Sequence, residues 1–157
     1  MSFAFPIRVY WEDTDAGGIV FYANYLKFME RARTEWLRSL GIEQQKLRET
    51  SGGIFVVSET SLKYHRPARL DDQLLVTARL RQAGTASLII EQHVLSNPEQ
   101  KSTPEELPAQ ALLCEGTIRI GWVNAASMRP SRLPAPVSTV FERIVPRGTP
   151  PGAASQQ

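Results

Sequence analysis

A change of period just past residue 40 is the feature that most constrains how this chain can fold. Between residues 20 and 40 the apolar side chains Tyr25, Phe28, Met29, Ala32, Trp36, Leu37 and Leu40 recur every third or fourth position, which gathers them on one face of a helix. Charges hold the other side, with Arg31 and Glu35 four apart and Glu30 and Arg33 three apart. Gly41 stands where a glycine would stop such a helix, and a shorter helix fits residues 43–49 before Gly52-Gly53 breaks the chain. Beyond that the period is two. Segments 54–64, 73–81, 85–95 and 111–122 alternate as half-buried strands do. In the second of them Leu74, Val76, Ala78 and Leu80 point one way while Thr77, Arg79 and Arg81 point the other. In the last, Leu112, Cys114, Ile118, Ile120 and Trp122 share a face. Residues 5–11 read as a first strand, and residues 12–18 as the turn that leaves it.

Strand, long helix, then four strands joined mostly by short turns is an α+β arrangement, one helix packed on one five-stranded antiparallel sheet. A single helix covers one face of such a sheet, so the other face is solvated or meets a partner, and a homodimer or homotetramer is expected. A chain of 157 residues has room for one domain, expected over residues 1–145, and that length buries enough surface to fold without a disulfide or a metal. Residues 96–108 are polar and carry prolines, as a long hairpin loop does, and residues 146–157, rich in Pro, Gly, Ala and Gln, read as a disordered tail.

Charge excludes one class of function. With 18 Lys plus Arg against 16 Asp plus Glu the net charge is only +2, and the basic residues are scattered, so no nucleic-acid partner is expected. The lone cysteine, Cys114, rules out an internal disulfide framework and fits a reducing compartment. Residues 1–11 lack the basic start and apolar run of a signal peptide. No apolar stretch is long enough to span a bilayer. The expected setting is cytoplasmic.

Familiar catalytic signatures are missing: no G-x-S-x-G, no G-x-x-x-x-G-K-[ST], no G-x-G-x-x-G, no C-x-x-C and no H-E-x-x-H. His65 and His93 fall in expected strands and read as surface or packing residues, which leaves no zinc set. Cys114 reads as a small buried residue, and Phe28, Met29, Trp36 and Leu37 as core. The informative stretch runs from Glu12 to Tyr25, with acidic residues, then Gly17-Gly18, then an apolar helix start. A calcium loop would want Asp or Asn where Gly17 stands and Glu where Asn24 stands, so no metal is expected there. One reading is a plain turn whose aspartates cap a helix. Another is a ligand site. Paired glycines let backbone approach a bound molecule, and the first helical N–H groups, near Phe21 and Tyr22, lack intrahelical acceptors and can hold a carbonyl oxygen as an oxyanion hole does. Asp13 or Asp15 could then attack the carbonyl carbon or activate a water, which is acyl-group hydrolysis.

The same stretch resembles the signature of the 4-hydroxybenzoyl-CoA thioesterase family: a strand, D-x-D-x-x-G-x-V, an aromatic, Tyr or His, then x-N/S-Y and the long helix. The resemblance runs from about residue 5 to residue 122 and includes the helix text of residues 25–37 and the segment of residues 64–72. Arg129-Pro130 and Arg132-Leu133-Pro134 look closest to bacterial acyl-CoA thioesterases encoded with the Tol–Pal envelope system. The resemblance implies a hot-dog fold, one long central helix wrapped by a five-stranded antiparallel sheet, with sites at a dimer interface and no cofactor. It implies Asp15 as the catalytic carboxylate, Asp13 as support at the turn, and the Tyr22 backbone N–H on the thioester oxygen. Gly17, Gly18, Asn24, Tyr25 and Pro67 would line the substrate, with residues 63–67 facing the neighbour's Asp15. Lys63, Arg66, Arg69, Arg81 and Arg129 are candidates for the phosphates of CoA, or else ordinary solvated charges. The implied activity is hydrolysis of acyl-CoA to free acid and CoA. The competing class is a non-catalytic module that binds acyl-CoA or acyl carrier protein, or a scaffold for envelope or lipid-synthesis partners. A hot-dog dehydratase would want a catalytic His in the Asp15 segment, and none is there.

Overall fold

The computed structural model describes residues 3–97 and 110–145. Strand β1 (Phe3–Arg8) leads through two single 3-10 turns, Trp11–Asp13 and Tyr22–Asn24, into helix α1 (Tyr25–Ser39). Helix α2 (Gln44–Ser51) follows, then strands β2 (Gly53–Tyr64), β3 (Gln73–Ala83), β4 (Ser87–Ser96) and β5 (Leu112–Asn124), and finally helix α3 (Ala135–Ile144). The strands form one sheet in the order β1-β3-β4-β5-β2, antiparallel at every junction. The α+β arrangement expected from the sequence is therefore present, with β1 and β2 at the two edges.

Helix α1 forms where the period of 3.6 demands. Tyr25, Phe28, Met29, Ala32, Trp36 and Leu37 are all buried, while Leu40 is only partly so. Gly41 ends the helix at φ +83°, a value that suits a residue without Cβ. Its N–H donates to Arg38 O at 3.0 Å and the Ile42 N–H to Leu37 O at 2.9 Å, the paired bonds of a Schellman stop. The helix rests on inward residues of the sheet, among them Leu74, Val76, Leu88, Ile90, Ile118 and Ile120. It packs against β1, β3 and β4, which leaves the inner face of β2 less covered, and Val57 there is 52% exposed.

The middle of the sheet's outer face is polar, next to an outward apolar row of Pro6, Leu75, Leu95 and Leu112. Register aligns Lys63, Glu115 and His93 across three strands, and Ser61, Thr117, Glu91 and Arg79 across four. Arg79 lies 3.3 Å and His93 3.7 Å from Glu91. Alternating charge of this kind keeps an uncovered sheet face hydrated.

Four local expectations change. The first strand ends at Arg8 rather than residue 11, because Trp11 opens a 3-10 turn and stands 79% exposed. The long helix starts at Tyr25 rather than residue 20: Phe21 is extended (φ −61°, ψ 132°), and the Val20 N–H is bonded to Ala68 O across the fold. In β5 the inward residue is Leu113, not Leu112, since the pairing with β4 slips between Val94 and Leu95 and a bulge turns one extra residue inward. Helix α3 was not expected at all, yet its Val137 and Phe141 are buried and Phe141 stacks on Trp36 at 6.0 Å between ring centroids. Most of the expected hairpin loop at residues 96–108 and the whole tail at residues 146–157 lie outside the described residues, with Ser96 closing β4.

Candidate active site

Strand register brings the ends of β1, β2 and β4 and the starts of β3 and β5 to one end of the sheet, as Arg8 opposite Gln73, Leu74 opposite Ser96 and Tyr64 opposite Cys114 record. The loop from Tyr10 to Asn24 packs there. Val9 N donates to Asp72 O at 2.9 Å, Val20 N to Ala68 O at 2.9 Å and Leu70 N to Gly18 O at 3.1 Å. The informative acidic stretch is thus tied to the segment after β2 by backbone bonds.

Within it the two aspartates have different jobs. Asp13 is 4% exposed, and both of its carboxylate oxygens are engaged: Oδ2 accepts the Tyr10 N–H at 2.9 Å and Oδ1 the Asn24 amide at 2.7 Å. Its carbonyl accepts the Phe21 N–H at 3.0 Å. Asp13 therefore anchors the loop, and Asn24, itself buried, is its partner rather than an open substrate contact. Asp15 is exposed and makes no ion pair among the described residues. Its Oδ1 accepts the Gly17 N–H at 2.8 Å, and its backbone N–H donates to Ile19 O at 2.9 Å. A side chain at Gly17 would begin 3.2 Å from Asp15 Oδ1, and Gly18 turns the chain at φ +79°. The glycines thus shape the turn that presents the Asp15 carboxylate.

Beside this turn lies a groove of about 320 Å³ lined by Ile19, Val20, Tyr22, Tyr25, Tyr64 and Pro67, with His65 and Arg66 at its edge. Three tyrosines organise it. The Tyr64 hydroxyl donates to Tyr22 O at 3.1 Å, the Tyr25 hydroxyl accepts the Ala68 N–H at 3.0 Å, and the Tyr25 and Tyr64 rings meet at 5.6 Å. Burial pushes both of these phenols above their ordinary pKa. Of the two amides expected to form an oxyanion hole, Phe21 N–H is already taken by Asp13. Tyr22 N–H opens a 3-10 turn and so has no earlier carbonyl of that turn to donate to. Its direction is fixed, because the Phe21–Tyr22 peptide is planar and Phe21 O accepts the Asn24 N–H at 2.8 Å.

Tyr22, Tyr25, Arg66 and Pro67 line the groove, while Asp15, Gly17 and Gly18 sit in the adjoining turn, joined to it through the Asp15 N–H on Ile19 O, and Arg69 bridges Ile19. Lys63 lies near in sequence but on the sheet's outer face, in the row of Glu115 and His93. Arg81 and Arg129 belong to the opposite end of the sheet, roughly 30 Å along strands of this length, and do not join the groove of their own chain. Among the described residues no group of three His, Cys, Asp or Glu gathers to hold a metal. His65 follows β2 rather than lying in it, and its Nε2 is 3.8 Å from Glu115.

Tyr64, expected within residues 63–67 to face a neighbour, also bonds Tyr22 of its own chain. Arg33, expected on the charged side of the helix, is instead buried in a polar pair: its Nη1 donates to Gln92 Oε1 at 2.9 Å, and Gln92 Nε2 donates to Met29 O at 3.0 Å and Thr77 O at 3.1 Å. Gln92 at an inward position between Ile90 and Val94 was the visible clue.

Comparison with known proteins places the chain among thioesterases. The family model described as Thioesterase superfamily matches residues 17–103, a span that starts just after Asp15. The acyl-CoA thioesterase YbgC of Haemophilus influenzae is 37% identical, over 91% of this chain and 96% of its own length. The acyl-CoA thioester hydrolase YbgC of Escherichia coli is 37% identical, over 90% of this chain and 96% of its own. Among solved structures, a probable thioesterase from Bartonella henselae superposes with a TM-score of 0.73 at 31% identity, covering 85% of this chain and 100% of its own.

Proposed function

The chain belongs to the Thioesterase superfamily, and from that premise we propose that it hydrolyses acyl-CoA thioesters to a free acid and CoA, with Asp15 as the catalytic carboxylate. The observation that carries the assignment to Asp15 is its contrast with Asp13. Two carboxylates stand two residues apart, one buried and hydrogen-bonded at both oxygens, the other exposed beside an aromatic groove and held through its side chain by the Gly17 N–H.

The thioester carbonyl lies at the start of the Tyr22–Asn24 turn, where the Tyr22 N–H donates to the oxygen as negative charge builds on it. As general base, Asp15 takes a proton from water; hydroxide adds to the carbonyl carbon, the C–S bond breaks, and the departing thiolate recovers a proton. As nucleophile, Asp15 itself adds, CoA leaves, and water cleaves the resulting mixed anhydride. A single turnover in H₂¹⁸O can reveal the second route. Label in the Asp15 side chain marks the nucleophile, through attack of water on the aspartyl carbonyl of the anhydride. Trapping of an acyl-enzyme is needed to separate the routes when the label reaches only the product acid. The Tyr22, Tyr25 and Tyr64 rings shield the reacting group from bulk water, which strengthens both interactions.

Arg66 and Arg69, at the rim, take the phosphates of CoA. A second copy completes the site, with its residues 63–67 near this chain's Asp15. The bare edge of β2 supports this, because an unpaired edge with exposed Val57 and Tyr64 invites a matching strand. The setting is cytoplasmic, in keeping with a lone unpaired cysteine, and no helix among the described residues is long and apolar enough to cross a membrane.

Thiol release across a panel of acyl-CoA lengths tests the reading. Hydrolysis of at least one chain length supports it. Tight binding of CoA esters with none cleaved would make the protein a binding module instead.

A further inference from the structure

The Tyr22 ring is 64% exposed, so the direction of its N–H depends on the backbone rather than on side-chain packing. Two torsions about the Tyr22 Cα set that direction. One follows the plane of the Phe21–Tyr22 peptide and the other the plane of the Tyr22–Ala23 peptide. In the first, Phe21 O accepts the Asn24 N–H at 2.8 Å, and the Asn24 side chain is bonded in turn to buried Asp13 at 2.7 Å. In the second, Tyr22 O accepts the Tyr64 hydroxyl at 3.1 Å, from 42 residues along the chain. Each peptide beside the Tyr22 Cα is thus held by its oxygen, one from within the turn and one from the end of β2.

Tyr64 is itself well seated. Its backbone pairs with Cys114 of β5, and the next two N–H groups, of His65 and Arg66, both donate to Leu113 O, at 2.8 and 3.1 Å. Its ring stands edge-on to Tyr22 at 6.4 Å and to Tyr25 at 5.6 Å. Tyr25 is fixed: it is buried, meets Phe28 at 6.0 Å, and its hydroxyl accepts the Ala68 N–H at 3.0 Å. The phenol therefore reaches Tyr22 from a strand end and a packed ring, as an aimed donor must. Desolvation, then Cys114 and Tyr22, push its pKa up, so at neutral pH it keeps the proton it donates. A single 3-10 turn has weaker internal bonds than an α-helix, which leaves Tyr22 dependent on this outside support.

We propose that Tyr64 is a positioning residue for catalysis: its hydroxyl holds the Tyr22 carbonyl and so keeps the Tyr22 N–H aimed at the oxygen that gains charge during thioester cleavage. The inference rests on the thioesterase reading and on the role that reading gives to the Tyr22 N–H. An aimed donor matters most in the transition state, where the oxygen carries the charge, so loss of the hydroxyl should appear in kcat and spare KM. A bond that served the fold alone would lower the unfolding temperature and leave the kcat of the folded enzyme unchanged.

The test is Tyr64→Phe in the whole chain, which keeps the ring and removes only the hydroxyl. The side chain is half exposed and Phe fills the same space, so the variant should fold, as circular dichroism will check. With the acyl-CoA that wild type cleaves fastest, kcat should fall at least about tenfold while KM stays within about threefold. Two CoA ligands of equal length separate aiming from binding. Trifluoroacetonyl-CoA, whose ketone hydrates to a tetrahedral centre, should bind the variant about tenfold more weakly. S-propyl-CoA, a thioether without a carbonyl oxygen, should bind both proteins alike. An unchanged kcat in the folded variant overturns the proposal. So does equal weakening of both ligands, which would make the phenol a binding group, and so does a fall in kcat with no loss of ketone affinity. All three leave hydrolysis by wild type standing. A wild type that binds both ligands and cleaves no acyl-CoA sinks the thioesterase reading, and the positioning role with it.

Discussion

At the scale of the residue, the structure divides labour between neighbours that look interchangeable in sequence. Asp13 and Asp15 flank a single threonine, and either could have served as the reactive carboxylate on residue type alone. Burial separates them, and burial is a property of the folded loop that turn composition does not reveal. Replacing Asp13 with Ala strands the Asn24 amide and the Tyr10 N–H, which should cost about 1–3 kcal/mol in denaturant unfolding. Tyr22 is expected to act through its N–H, so Tyr22→Ala should lower kcat far less than loss of the Asp15 charge does. A collapse of kcat in Tyr22→Ala comparable to that in an Asp15 variant would move the role to the phenol.

At the scale of the element, legibility followed how local the signal was. Helix α1 declared itself through seven apolar residues at three- and four-residue spacing and a glycine at the stop, and six of the seven are buried. Gly41→Ala puts a Cβ on a residue at φ +83° and should lower stability by about 1 kcal/mol, read from the unfolding midpoint. The β5 face was misjudged by one residue at its start, because a bulge depends on the neighbouring strand and leaves no local mark. Helix α3 was missed for a different reason. Its Pro134 and Pro136 occupy the cap and first turn, where a proline's missing N–H costs nothing, and no expectation was drawn for this segment beyond a family resemblance at Arg132-Leu133-Pro134. The turn of the candidate site was legible where a motif carried it, at Asp15 and the glycines, whose bond and positive φ shape that turn. The site was not legible where it is made by the meeting of distant segments, as with Tyr64 over Tyr22 and Arg33 on Gln92.

At the scale of the molecule, burial and oligomerisation set how the protein answers to pH and concentration. Cys114 is buried in β5, and its thiol is pushed up from an ordinary value of 9.0 to about 11, first by desolvation and then by Glu115. The folded state therefore holds this proton more tightly than the unfolded chain. The resulting stability is intact below pH 9 and fades as pH rises from 9 to 11, and Cys114→Ala should flatten part of that fall in unfolding measured by circular dichroism. Tyr25 and Tyr64, also raised by burial, add to the loss in the same direction. The bare β2 edge predicts a species of at least two chains in sedimentation, and a monomer at all concentrations would leave the proposed site incomplete. The central claim, that the charge on one exposed carboxylate drives thioester cleavage, is tested most directly by Asp15→Asn. The account predicts that this variant unfolds at the wild-type temperature and binds acyl-CoA, yet releases thiol at least about a hundredfold more slowly. Hydrolysis at the wild-type rate by the folded variant would contradict it.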